Sequence, residues 1–214
     1  MPVQTLATTV APARKGTASR AVYAAGCAVA GAVLVAVLAQ VSIPLPFTPV
    51  PITGQTLGVL VVGAAYGPTL GAATLALYLL WGAAGLPVFA PDPDGSHTTG
   101  LAVLSLAAPT GGYLWGFVLS SWVVGGLARR GWDRTYLRAA AAMLLGEAGI
   151  YAIALPWLHQ ALPAIVGGPV SIGDTFRAGL YPFVIGDAIK LLLAAGALPT
   201  VWHLLERAGG EGGR

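Results

Sequence analysis

Long apolar stretches, broken at a few fixed points, organise this chain. The first runs from Arg20 to about Val41 and ends at the cluster Pro44, Pro46, Pro49 and Pro51. A second, shorter one runs from Thr53 to Tyr66 and stops at Gly67-Pro68, and a third follows from about Thr69 to Ala84, broken by Gly85-Leu86-Pro87. The fourth spans about Gly111 to Ala128, the fifth Tyr136 to Leu158 and the sixth Gly179 to Leu205. Measured against the roughly 20 residues that a spanning helix needs, the pattern predicts six membrane segments. The second and third are short, so a re-entrant hairpin over 53–84 is the alternative. The longest connections, Gly85 to Thr110 and His159 to Ala178, hold prolines and glycines that mark turns rather than helix, and they read as lids.

Composition moves the reading from "apolar" to "membrane-embedded". The chain has 214 residues, of which 56% are hydrophobic and 9% charged. Soluble proteins carry roughly a quarter of their residues as Asp, Glu, Lys or Arg. Here none occurs from Ala21 to Pro91, nor from Gly95 to Ala128. An ordinary soluble enzyme is excluded, and an all-α integral membrane protein is expected. The net charge of +3 does not point to nucleic acid, because the basic residues form no stripe or aromatic-interleaved patch. Cys27 is the only cysteine, which excludes an intrachain disulfide and a multi-cysteine metal site; no metal or cofactor is expected. Lys15 and Lys190 are the only lysines, and neither lies in a phosphate-binding G-x-x-x-x-G-K-[ST] loop. Active transport through this chain would therefore need nucleotide hydrolysis by another subunit.

The basic residues set topology. With a cytoplasmic N-terminus, the inner segments carry Arg14, Lys15, Arg20, Arg129, Arg130, Arg134, Arg138, Arg207 and Arg214. Of the 11 basic residues only Arg177 falls in an outer loop, and Lys190 lies inside the sixth segment, while Asp92, Asp94 and Asp174 all fall outside. The positive-inside rule thus predicts both termini in the cytoplasm. Residues 1–19 are expected to form a disordered tail, 20–206 a single six-helix membrane domain, and 207–214 a flexible tail. The first apolar run, about 21 residues, is longer than a secretory signal core, so no cleavage is expected.

Ionisable residues inside spans are the sharpest chemical signal, since burying one in a bilayer costs at least about 2.5 kcal/mol. There are three: Glu147 in the fifth segment, and Asp187 and Lys190 in the sixth. Asp187 and Lys190, three apart, share a helical face. They read either as a self-neutralising pair or as a grip on a polar ligand, Asp187 accepting from ligand N–H groups and Lys190 donating to a carbonyl or carboxylate. Glu147 has no basic neighbour in its own helix and needs a partner from elsewhere. The string from Ile43 to Thr56, with near-alternate prolines, forbids helix and favours a stiff, extended segment folded over the outer mouth. Thr53, Gln55 and Thr56 then offer polar groups where the second segment begins.

Four separated strings carry a family likeness. The run from Ile43 through Gln55, the break Gly82-Ala83-Ala84-Gly85-Leu86-Pro87-Val88-Phe89, the string Pro109-Thr110-Gly111-Gly112-Tyr113, and Gly186-Asp187-Ala188-Ile189-Lys190 occur in this order. Together they resemble the BioY family, the biotin-binding substrate-capture (S) components of energy-coupling factor (ECF) transporters. The likeness covers about Arg20 to Leu205; the N-terminal tail and the insert Pro91 to Thr99 lie outside it. It implies a six-helix S-component bundle that binds one biotin near its outer side, and as partners a membrane T component and two cytoplasmic ATPases. Carried over residue by residue, it points to Phe47, Thr53, Gln55, Phe89, Gly112, Tyr113, Asp187 and Lys190 as ligand contacts. Glu147 and Tyr151, four apart on one face, are additions. Tyr113 reads either as a stacking wall or as an aromatic at the membrane interface.

The small residues of the first segment, Ala21, Ala24, Ala25, Ala28, Gly31 and Ala32, form a smooth surface that permits close helix contact. In S components such a face docks the T component, which makes Ala24 and Ala28 the candidates; packing inside the bundle is the other reading. Three rival functions remain: an S component for a different vitamin, an intramembrane enzyme, and a structural scaffold. Against an enzyme, the chain has no H-E-x-x-H or G-x-S-x-G motif, and its histidines, His97, His159 and His203, lie near segment ends. A scaffold leaves Glu147, Asp187 and Lys190 unexplained.

Overall fold

The computed structural model describes residues 4–9 and 16–211. Six longer helices form the bundle: α2 (Thr17–Gln40), α3 (Gln55–Tyr66), α4 (Pro68–Ala83), α5 (Gly111–Ala128), α6 (Tyr136–Val166) and α8 (Val184–Glu211). Two short ones, α1 (Leu6–Thr9) and α7 (Ile172–Gly179), cap opposite ends. Four helices, α2, α5, α6 and α8, are long and apolar enough to cross a membrane, which makes this a multi-pass membrane protein. The helices α3 and α4, with 12 and 16 residues, extend only about 18 and 24 Å, short of a hydrocarbon core of roughly 30 Å.

These two short helices nevertheless reach the far end of the bundle. Their joint, Gly67, has φ +80°, a left-handed conformation open to glycine, and Pro68 starts α4 at its first position. A Cβ on Gly67 would lie 3.1 Å from Thr5 Cγ2 and 3.8 Å from Arg129 Cδ. The turn therefore sits level with the C-terminal end of α5 and with the N-terminal residues.

Close backbone approach holds the interior together, as expected where lipid gives helices little hydrophobic reason to associate. A Cβ on Gly116 of α5 would lie 2.9 Å from the Cα of Ile150 on α6. One apolar core, around Tyr78, Phe89, Phe117, Ile150 and Leu158, lies toward the site. A second, with Leu60, Val124, Met143 and Leu198, lies toward the termini.

At that terminal end, Trp202 of α8 donates to Asp133 Oδ2 (2.6 Å) in the helical turn Trp132–Arg134. The Arg134 guanidinium stacks 3.3 Å above the Trp202 ring, donates to the carbonyl of Gln4 (3.2 Å) and lies 3.9 Å from Glu206. Burial pushes the Asp133 carboxyl above the usual carboxylate range, against the opposing pull of the Trp202 N–H and the Arg134 charge. The start of the chain and the end of α8 thus meet at one end of the bundle.

Several boundaries differ from the sequence expectation. Residues 4–9, expected to be disordered, form a helical turn with Thr5 and Ala7 buried, held by the Tyr23 hydroxyl on the Ala7 carbonyl (3.0 Å). The first long helix starts at Thr17, and the last continues to Glu211 rather than ending at Leu205. Arg14, Lys15, Arg214 and the rest of 1–3, 10–15 and 212–214 lie outside the described residues. Helix α6 runs on through Pro156 and Pro163 to Val166, so the loop expected from His159 is helix for its first turns. The segment from Gly179 is not yet α8: α7 occupies 172–179 because Ser171 and Asp174 form a capping box, with reciprocal backbone bonds at that N-terminus.

Candidate functional site

The proline string closes on itself before it meets the bundle. Ser42–Ile43 and Ile52–Thr53 pair antiparallel, Ser42 opposite Thr53 and Ile43 opposite Ile52, and the Gly54 amide bonds the Val41 carbonyl (3.0 Å). Prolines lack the donor a longer ladder needs, so pairing ends there and residues 44–51 bulge out as a stiff loop. Beneath this loop lies a cavity of about 160 Å³, lined by α3, α5, α6, α8 and the segment around Phe89.

Its polar centre is built on the first turns of α8. Asp187 Oδ1 lies 2.6 Å from Lys190 Nζ, the two side chains being 7% and 14% exposed. Lys190 also donates to the Thr53 carbonyl (3.0 Å), the Thr56 hydroxyl donates to Asp187 Oδ1 (3.4 Å), and the Tyr151 hydroxyl donates to Asp187 Oδ2. The positive end of α8 also favours the Asp187 carboxylate. Unspent capacity follows from counting lone pairs and protons. Oδ1 serves Lys190 and Thr56, Oδ2 serves Tyr151, and two of three ammonium protons are used. One acceptor direction on Asp187 and one donor on Lys190 remain for a ligand.

Aromatic walls surround this pair. Tyr113 is buried, and its hydroxyl donates to the Gly179 carbonyl (2.6 Å). Its ring meets Tyr151 edge-on (centroids 6.2 Å, 82°) and Phe183 at a tilt (6.3 Å, 59°). Tyr113 is thus a wall of the cavity and not an aromatic on the lipid-facing surface. On the opposite side Gln55 donates to the Tyr78 hydroxyl (2.7 Å), which donates to the Val88 carbonyl (3.0 Å). Thr53 in turn donates to Gln55 Oε1 (2.9 Å). This chain of bonds fixes the backbone that inserts Phe89, whose ring meets Tyr78 edge-on and lies against Gly82 where no side chain fits.

The loop over the cavity is tied to the end of α7. The Thr48 hydroxyl on loop 44–51 donates to the Ala178 carbonyl at the end of α7 (2.7 Å), one residue before the carbonyl that holds Tyr113. The Asp174 carboxyl that starts α7 is held below the usual carboxylate range by the Ser171 hydroxyl and amide.

Of the ligand contacts expected from sequence, Thr53, Gln55, Phe89, Tyr113, Glu147, Tyr151, Asp187 and Lys190 line this one cavity. Phe47 and Gly112 do not. Phe47 is 66% exposed, turned away at the tip of the proline loop. Gly112 faces α6, where a Cβ would lie 2.5 Å from Trp157 Cβ and 3.0 Å from Ala154 Cα, so its small size serves helix packing. The sequence reading missed Phe183 as a wall, although its position four residues before Asp187 puts it on the same helical face. It also missed Asp92 and Thr98 at the rim, which come from the insert that matched no motif.

On α2, Gly31 and Ala32 are buried, Gly31 against Thr74, Tyr66 and Val62. Ala24 and Ala28 are half-buried, and Ala21 and Ala25 are exposed. The small-residue surface is therefore divided between bundle packing and an outer flank. Among the described residues no three His, Cys, Asp or Glu side chains converge as a metal-binding group.

Comparison with known proteins adds a family and a fold. The model of the BioY family matches residues 13–207. A biotin transporter BioY of Thermotoga maritima is 36% identical over 162 residues, covering 76% of this chain and 85% of its own. One of Rhizobium etli is 36% identical over 172 residues, covering 77% and 84%. Among solved structures, the crystal structure of the S-component for biotin from an ECF-type ABC transporter superposes with TM-score 0.72 at 21% identity. It covers 88% of this chain and 95% of that one, a likeness of fold. The relatives carry the names of transporters, not of enzymes.

Proposed function

Because the chain belongs to the BioY family, we propose that it captures biotin for uptake across the cell membrane, as the substrate-binding subunit of an ECF-type transporter. The observation that carries this reading is the cavity with one spare acceptor on Asp187 and one spare donor on Lys190, walled by Tyr113, Tyr151 and Phe183. Biotin has an apolar bicyclic body, a ureido group with N–H donors beside a carbonyl, and a valerate carboxylate. A ureido edge offers the complement of that pair: N–H to Asp187 and carbonyl to Lys190. The aromatic walls cover the apolar rings, in the manner of pockets that bury most of a small ligand and orient it with few polar groups.

In this reading all six long helices cross the membrane, α3 and α4 as a short hairpin, with both termini in the cytoplasm. The basic residues Arg129, Arg130, Arg134 and Arg138 then mark the inner side, and the lids face outward. No phosphate-binding loop exists in the sequence, so energy comes from partners: a membrane T component and two cytoplasmic ATPases. The half-buried Ala24 and Ala28 and the exposed Ala21 and Ala25 are the surface on which the T component docks.

Equilibrium binding of biotin to the purified chain, beside Asp187→Asn and Lys190→Met, tests the reading. Tight binding that collapses in both folded variants supports capture at this site. Binding that survives both moves the site elsewhere in the bundle. A monodisperse protein that ignores biotin but holds another vitamin overturns the substrate.

A further inference from the structure

Glu147 is the one carboxyl lining the cavity that no described residue answers. It is 6% exposed, its Oε1 is buried without a hydrogen-bond partner, and among the described residues no basic side chain lies within ion-pair distance of it. The facing groups are few. Helix α8 presents Asp187 and Lys190, α5 presents Tyr113, α6 itself presents Tyr151, and α3 contributes only the uncharged Gln55 and Thr56; Asp92 stands at the rim. The one ammonium is already committed to Asp187 and to the Thr53 carbonyl.

Charge counting then constrains what a ligand meets. With Asp187 and Glu147 ionised and Lys190 charged, these three groups inside the cavity carry one net negative charge, Asp92 at the rim apart. An anionic ligand raises that to two while displacing the water that alone can solvate Glu147. An unpaired carboxylate enclosed without water is strongly disfavoured and neutralises instead. A proton on Oε1 restores the earlier charge and gives Glu147 a donor that can reach a ligand oxygen. We propose that Glu147 is a proton-binding site linked to ligand capture, so that the loaded cavity holds one more proton than the empty one. The inference rests on the biotin reading for its anionic ligand, and the proton comes from bulk water.

The test is calorimetric titration of the purified chain with biotin at several pH values from about 5.5 to 8.5, each in two buffers of different ionisation enthalpy, which counts protons taken up per biotin bound. The wild type is expected to take up as much as one. Its Kd is expected to rise with pH by up to about tenfold per unit where the linkage acts. Glu147→Gln, a neutral isostere, is expected to bind with a pH-independent Kd and no proton uptake, and Glu147→Met serves as a second neutral variant should the amide fold poorly. Wild-type binding with no proton uptake between about pH 5.5 and 8.5 overturns the proposal, as does uptake undiminished in the neutral variants. A wild type that binds no biotin overturns the transport reading, and this inference with it.

Discussion

Removing one member of the Asp187–Lys190 pair should reveal how far the pair depends on itself. Lys190→Met leaves the Asp187 carboxylate with the Tyr151 and Thr56 hydroxyls and the start of α8, but without a counter-charge. Asp187→Asn leaves an ammonium with only the Thr53 carbonyl and an amide oxygen. Breaking a buried pair from one side costs about 3–5 kcal/mol. Neutralisation sets the ceiling, since protonating an ordinary carboxylate at pH 7 costs about 4.2 kcal/mol and deprotonating an ordinary lysine about 4.6 kcal/mol. In a chain of this size such losses lower Tm by about 2–4 °C per kcal/mol. The midpoint of thermal unfolding in detergent without biotin should therefore fall by roughly 6–18 °C in each single variant. Asp187→Asn should lose more, because its orphan keeps fewer partners. The double variant should be more stable than either single, since it strands no charge. Losses below about 1 kcal/mol in both singles, or additive losses in the double, would refute a mutually dependent buried pair.

Three further outcomes follow from other parts of the molecule. Gly112→Leu should destabilise the fold by about 1–3 kcal/mol through collision with Trp157, read as a lowered Tm; normal stability with lost biotin binding would return Gly112 to the ligand site. At the terminal end, Asp133 has a carboxyl pushed up by burial. It therefore favours folding most below about pH 4, where it is protonated in both states, and that contribution is lost as pH rises through its folded-state value. Asp133→Asn, which keeps an acceptor for Trp202, should remove this component from stability-versus-pH curves, and identical curves would contradict it. For topology, cysteines at Ser96 and Thr69 in a Cys27→Ser background should react with an impermeant thiol reagent from outside only at Ser96; labelling of Thr69 from outside would overturn the orientation and the spanning hairpin.

What the sequence made legible is what depends on composition and helical period. The apolar stretches mark the helices, and the spacing of Asp187 from Lys190 and of Glu147 from Tyr151 brings four polar side chains to one cavity. Side-chain direction in irregular segments was not legible. Phe47 and Phe89 look alike within their motifs, yet Phe89 is locked inward by the Gln55–Tyr78–Val88 bonds, while Phe47 has no such anchor and stays exposed. Proline misled at the end of α6, because a bundle tolerates Pro163 where a soluble helix would break. The capping box Ser171–Asp174 was readable in principle, but only eight residues of polar helix follow it, too few for a periodic signal. Gly112 carried the motif's chemistry in appearance only; its partner, Trp157, lies on another helix.

The bond between Thr48 and Ala178 ties the proline loop that covers the cavity to the end of α7, so lifting the loop requires breaking that bond. A tie made alike before and after capture cancels from the equilibrium constant and remains in the barrier. It slows entry and escape by the same factor, about fivefold for a bond of about 1 kcal/mol. If a ligand is held by the walls and the Asp187–Lys190 pair, its affinity is set there, while one threonine hydroxyl at the cover adds to how long it stays.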